Sequence, residues 1–339
     1  MRSIRVLIVA AIASVLLASC ATTTHPLSSG PTITGTPTLN INNALTNVAC
    51  TTASCIAVNT SQYGASEQYS DSSKAWTALS VPANALQITA SSCWSTGCLL
   101  SGSTSTSQFL WKYSSGVVST LKMPTMFQTI SSLNCFADSE CAAIGFDPST
   151  SSLELIFSRD SAATWSTSST LPSTFSAGGQ ISMSCSDAAN CLVSGTAKSG
   201  PTVLLYATHD SGATWVQRTL RTTWQELRSL TCSALNCVGA MTDSSGSSFI
   251  VRTKTFGRIW EKVSSSKGGV TAMACAGVNK CVAIGMAKMN TPWVETLKNN
   301  VLLVNKLIYV ATPFNGVACL PTKCVLVGNT SVAIVALNS

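Results

Sequence analysis

Histidine is scarce. The 339-residue chain has two, His25 and His209. A Ser-His-Asp triad could draw only on His209, and a metal site built on several imidazoles has no ligands. Charge is thin as well, with Asp, Glu, Lys and Arg making up 10% of the residues. The formal net charge is +7, or +5 without Arg2 and Arg5. The cations are scattered, whereas nucleic-acid binding asks for a concentrated basic face. No glycine-rich loop ends in the lysine that a phosphate cradle needs. After residue 20 no apolar run approaches the roughly 20 residues of a membrane span.

What is present begins with the leader. Arg2 and Arg5 precede an almost continuously apolar stretch, Ile4 to Leu17. Leu17-Ala18-Ser19-Cys20 then resembles a bacterial lipobox. That resemblance implies a signal peptide over 1–19, cleavage before Cys20, and acylation of Cys20 by diacylglycerol and a fatty acid such as palmitate. The Thr-, Ser- and Pro-rich segment 20–31 reads as the lipidated cysteine and a flexible tether. The expected location is the extracytoplasmic face of the cell envelope, with the folded domain over 32–339.

Cys20 aside, the fourteen other cysteines fall into seven close couples. These are Cys50/Cys55, Cys93/Cys98, Cys135/Cys141, Cys185/Cys191, Cys232/Cys237, Cys275/Cys281 and Cys319/Cys324. They recur every 42 to 50 residues, the period of a repeat architecture. Around each couple an apolar strand ends at the first cysteine, a small polar turn follows, and the second cysteine opens another apolar strand. Met273-Ala274-Cys275 leading to Cys281-Val282-Ala283-Ile284-Gly285 is typical. Facing cysteines beside a hairpin turn lie about 5.5 Å apart at Cα, within disulfide range, and an exported compartment permits oxidation. Each short loop is worth roughly 2 kcal/mol in the chain-entropy model, so the bridges pin register. Zinc is set aside because its cysteine pairs use a two-residue spacer and gather four ligands.

A second motif runs in phase with the first. Thr208-His209-Asp210-Ser211-Gly212-Ala213-Thr214-Trp215 fits Ser/Thr-x-Asp-x-Gly-x-Thr-Trp. Ser158 to Trp165 keeps Asp160 and Trp165 with Ala162 for glycine. Thr253 to Trp260 keeps Gly257 and Trp260 with Thr255 for aspartate, and Tyr69 to Trp76 keeps Asp71 and Trp76. These segments resemble the Asp-box, or BNR, repeat of sialidase-like β-propellers. The resemblance implies a tight turn between third and fourth strands. Its carboxylate and hydroxyl bond local amides, its glycine takes a strained dihedral, and its tryptophan folds under the hairpin. These residues are then structural.

The expected architecture is all-β, a seven-bladed propeller of four-stranded antiparallel blades with one hairpin disulfide each. Leu227–Cys232, Cys237–Met241, Ser248–Thr253 and Glu261–Ser264 are read as the four strands of one unit. The last unit lacks a fourth strand. The segment 32–41 is expected to supply it and so cover an open sheet edge.

The sialidase resemblance would require three arginines on a substrate carboxylate, yet residues 21–158 contain none. The expectation is therefore no catalytic residue, cofactor or metal. The chain reads as a cell-surface binding or scaffold module for a protein, peptide or envelope glycan. Asp-box propellers without sialidase residues include relatives of photosystem assembly factors and peptide-binding receptor propellers. The alternative is a glycoside hydrolase with a divergent site, for which Glu226 is the candidate acid. The first strands are expected to line a neutral channel, suited to structural packing or to weak binding through hydroxyls and backbone groups, with Glu226 and Arg228 as the charged exception.

Overall fold

In a computed structural model, residues 33–34, 45–59, 66–70, 75–82, 85–166, 169–265, 268–287, 291–298, 301–304, 313–328 and 332–337 are described. Cys20 and the tether lie outside this set, as do Asp71 and residues 35–41. Pro31–Ser339 forms one compact unit. Its described strands make seven four-stranded antiparallel sheets.

The first strands are Leu45–Cys50, Gln87–Cys93, Thr129–Ala137, Ile181–Cys185, Trp224–Ser233, Gly268–Cys275 and Phe314–Leu320. Each touches the next in chain order, and the last touches the first. The sheets are numbered here in that order. Six of them run outward through four consecutive strands. In the seventh, Ile33–Thr34 is the outer strand, pairing with Val332–Ala336 through Ile33↔Val335 and Thr34↔Ile334. Ile33–Thr34, the described part of the segment expected there, takes that place, and the rest of 32–41 lies outside the described residues. The fifth sheet also matches its expected strands, with the first lengthened to Trp224–Ser233.

Among the described residues there is no single core. Buried apolar residues form seven clusters, each filling the wedge between two adjacent sheets. This explains the continuously apolar second strands. Gly97–Ser103, Cys191–Thr196 and Lys323–Gly328 are buried over nearly their whole length because a neighbouring sheet covers each face. Their closing glycines give room to aromatic rings. A Cβ on Gly145 would collide with the Phe127 ring, and one on Gly285 with the Trp293 ring.

All seven cysteine couples are disulfides, and in each the two cysteines face one another directly across the first two strands. In the second sheet, for example, Cys93 is bonded to Cys98 and is its register partner. The Cα separations are 3.9–4.1 Å, tighter than the 5.5 Å expected from sequence. This corrects the expected spacing at Cys93–Cys98 and at the other six bridges. In the first and second sheets the adjoining pairs carry the backbone bonds, Thr51 to Ser54 and Trp94 to Gly97, so the cysteines occupy the non-hydrogen-bonded positions where opposed strands approach most closely.

The two halves of a bridge also differ in setting. Cys50, Cys93, Cys232, Cys275 and Cys319 are half-buried at the ends of first strands. Their partners Cys55, Cys98, Cys237, Cys281 and Cys324 are buried, because each opens a second strand that neighbouring sheets cover on both faces. Cys98 is a core residue, packed in the cluster of Ile56, Leu100 and Tyr113. In the third and fourth sheets both members, Cys135 with Cys141 and Cys185 with Cys191, are buried.

The third strand returns to the same end, as the pairs Cys141↔Ser158, Cys191↔Thr208 and Cys237↔Thr253 show. The disulfides and the third-to-fourth-strand turns therefore share one face of the ring.

Candidate functional site

Several polar side chains of the first strands bond between sheets. Ser92 Oγ accepts the backbone N–H of Cys135 at 2.8 Å. Asn134 Oδ1 accepts that of Cys185 at 2.6 Å, and Ser184 Oγ that of Cys232 at 2.8 Å. In each case the residue before one cysteine holds the first cysteine of the next sheet. Ser182 and Ser229 make similar bonds to Leu230 and Met273, while Ser91 donates to Asn47. Of the two uses expected for the channel, structural packing and weak binding, these bonds serve the first. An extended strand beside the axis leaves amides that its own sheet does not use, and the neighbour's side chain satisfies them.

The disulfide end of the axis opens instead into a cavity of about 410 Å³. Its walls are the first cysteines Cys50, Cys93, Cys135 and Cys319 with Thr52, Trp94, Phe136, Asp138 and Pro321. The rim is tied together from sheet to sheet. Thr52 donates to the Ser95 carbonyl from both its amide, at 3.1 Å, and its hydroxyl, at 2.8 Å. Ser95 in turn donates through its amide and hydroxyl to Asp138 Oδ1. The result is a preformed bowl of aromatic, aliphatic, sulfur and hydroxyl groups with one carboxylate. No motif marks it in the sequence, because its residues come from turns about 40 positions apart.

The turns carrying the second motif are held by their own side chains. Asp210 accepts the Thr214 amide at 2.8 Å and the Thr214 hydroxyl at 2.6 Å, and the Thr208 hydroxyl also donates to it. Thr208 Oγ1 accepts the Gly212 amide at 2.8 Å, where φ is +87°. Asp160 repeats the pattern with Thr164 and Ser158, and Ala162 takes a φ of 67°. The Thr164 hydroxyl and amide, then the Ser158 hydroxyl, hold the Asp160 carboxyl down to about 2. Asp210 is lowered for the same reasons, Thr214 first. In the fifth sheet Thr255 replaces the aspartate, and its hydroxyl still accepts the Ile259 amide at 3.0 Å. Gly257 keeps a φ of +81°. Each turn also bonds back to its own hairpin, through Ser161 to Ser139, Ser211 to Ala189 and Phe256 to Leu235. The tryptophans fold under unequally. Trp260 is buried, whereas Trp76, Trp165 and Trp215 are half-buried.

Glu226 lies in the fifth sheet's first strand, well before its cysteine, and pairs with Arg228 at 2.5 Å. The arginines are dispersed. Arg252 is bonded to Glu261, Arg221 lies over Trp224, and Arg159 lines a groove of about 690 Å³ between the third and fourth sheets. Among the described residues, no three His, Cys, Asp or Glu side chains gather as a metal would require.

The ring of four-stranded sheets, packed wedge by wedge about an axis, is a β-propeller. No family model matches the sequence, and no curated protein matches it. Solved propellers do share the fold. YCF48 from Cyanidioschyzon merolae is 10% identical with a TM-score of 0.62, over 89% of this chain and 98% of that one. A structure of YCF48 bound to D1 peptide is 10% identical with a TM-score of 0.61, over 90% and 100%. The GH74 xyloglucanase from Xanthomonas campestris is 13% identical with a TM-score of 0.63, over 90% of this chain and 54% of that one.

Proposed function

We propose that the chain is a non-catalytic binding or scaffold protein of the bacterial cell envelope, lipid-anchored at Cys20. Its seven sheets act as seven blades, and the axial bowl receives a protein or peptide segment. The observation that carries this reading is the bowl itself. It is a concave site with mixed aromatic and polar walls, and its rim is pre-ordered by bonds between sheets. The turn chemistry of Asp160 and Asp210 supports the Asp-box resemblance and assigns those carboxylates to the scaffold. A propeller of the same fold is known bound to D1 peptide, which makes a peptide the partner to test first.

A photo-crosslinking amino acid at Thr52, on the bowl's rim, tests this in membranes. A discrete polypeptide adduct is expected, absent when the probe replaces Ser149 at the opposite end of its sheet. Recovery of lipid alone would contradict it. Changing Cys20 to Ser separately tests the anchor and is expected to release the protein from membranes.

The hydrolase reading rests on Glu226 and on the shared fold with a xyloglucanase. It is the weaker one, because Glu226 is engaged by Arg228 on its own strand rather than facing a second carboxylate across a gap.

A further inference from the structure

The disulfide face is divided by charge. The turns of its third and fourth sheets carry five carboxylates, Asp138, Glu140, Asp160, Asp187 and Asp210, against one cation, Arg159. In the fifth and sixth sheets, the described turn residues 233–236, 254–260 and 276–280 contain no carboxylate and carry Lys254, Arg258 and Lys280. The fifth-sheet turn shows that this is not a folding requirement. It keeps the backbone geometry of its neighbours with a threonine hydroxyl in place of the aspartate. The turn has lost its negative charge and gained two cations without losing its shape.

Arg218 of the adjoining sheet adds a third cation, held in place by a chain of bonds. The Asn190 amide nitrogen donates to both oxygens of Asp187 at 2.9 Å, so its oxygen must accept from His209 Nδ1 at 2.7 Å. That tautomer leaves His209 Nε2 to accept from Arg218 Nη2 at 3.2 Å. Arg218 is thus aimed by the His209 imidazole, and burial first, then the charge of Arg258, lower its pKa.

Two aliphatic side chains stand beside these cations. Leu235, at the tip of the fifth sheet's disulfide hairpin, is 58% exposed, and Ile259, in the adjacent turn, is 66% exposed. The Phe256-to-Leu235 backbone bond holds the two turns together. Leu235 and Ile259 sit on projecting tips rather than in a groove, so they suit a fluid layer that closes around them better than a rigid protein surface.

We propose that this corner docks on the surface of an anionic phospholipid bilayer. Leu235 and Ile259 enter the headgroup layer, while Lys254, Arg258 and Arg218 meet lipid phosphate. With the fifth and sixth sheets tipped toward the bilayer, the bowl stands beside the membrane, open to a membrane-proximal segment of a partner.

The test is local footprinting of the full chain. Acetylation of Lys254 by a water-soluble reagent is followed by mass spectrometry with vesicles of phosphatidylcholine alone, and with vesicles containing roughly a third phosphatidylglycerol. Acetylation is expected to slow about fivefold on the anionic vesicles only, with Lys198, in a turn at the opposite end of its sheet, unchanged. The exposed double substitution Leu235→Ser with Ile259→Ser is expected to abolish the protection. Equal rates on both vesicles, or protection that survives the double substitution, would overturn the proposal. Equal protection by inorganic phosphate without vesicles would overturn it in favour of a free-oxyanion site. The N-terminal peptide in the same digest reports whether Cys20 is acylated, so failure of the anchor and failure of the docking corner are read separately.

Discussion

Ser184 and Cys232 belong to different sheets, yet the hydroxyl of the first accepts the backbone N–H of the second at 2.8 Å. The bond couples neighbouring wedges at the cysteine where a hairpin is clipped. Ser92 and Asn134 make the same bond two sheets and one sheet earlier. Serine, asparagine or threonine precedes the first cysteine in the second to fifth sheets, and Ala274, Ala318 and Ala49 stand there in the sixth, seventh and first. On the alanine arc, apolar packing takes over at the equivalent wedges, with Ala274 against the Phe314 cluster and Ala318 against Leu45 and Val48.

Removing the Ser184 hydroxyl leaves the Cys232 amide without an acceptor in a part-buried position. Ser184→Ala is expected to cost about 1–2 kcal/mol of unfolding free energy. Ser105→Ala, at an exposed loop position, is expected to change it by less than about 0.5 kcal/mol. Denaturant titration of both variants reads the difference. Equal midpoints would mean that the inter-sheet bond contributes nothing.

The Asp160 turn sets an acid limit. Its carboxyl is lowered to about 2 in the folded chain, below the roughly 3.9 of an unfolded aspartate. Stability from this depression is fully present above about pH 4 and is lost as pH falls toward about 2. Thermal midpoints of wild type and Asp160→Asn are expected to differ at neutral pH and converge across that window. A gap that stays constant down to pH 2 would show that the charge is not what the turn uses.

Gly212 has two reasons to be glycine. Its φ is +87°, and a Cβ there would meet Ser169 Oγ of the preceding sheet at 2.7 Å. Gly212→Ala is expected to lower stability by about 1–2 kcal/mol, and calorimetry would register this as a depressed midpoint.

Much of this was legible in the sequence because the signals are local. A cysteine couple, its turn and its flanking strands lie within 20 residues, as Trp224–Ser233 and Asn236–Asp243 do, and the Asp160 and Asp210 turns close their hydrogen bonds within four positions. The outer strand at Ile33 could be inferred because the last unit was one strand short. What joins one sheet to the next was not legible. Ser92, Asn134 and Ser184 look like ordinary polar strand residues until the ring places each against a cysteine amide 43 to 51 positions later. The burial of Cys98 beside a half-buried Cys93 is equally a product of the neighbouring sheet. The bowl escaped notice for the same reason. Likewise, Glu226 looked like a lone acid at a channel mouth until Arg228 was found against it.

Catalysis can be tested without knowing the substrate. Wild type and Glu226→Gln, offered a panel of envelope glycans and xyloglucan fragments, are both expected to show no turnover. Turnover by wild type that collapses by about a hundredfold or more in Glu226→Gln would replace the binding reading with a hydrolase.

The pairing of the cysteines tests the architecture most directly. Non-reducing proteolysis and mass spectrometry should return seven bridges, each joining cysteines five or six residues apart, from Cys50–Cys55 and Cys93–Cys98 round to Cys319–Cys324. A bridge between cysteines of different sheets, or couples recovered as free thiols, would contradict a ring of individually clipped wedges.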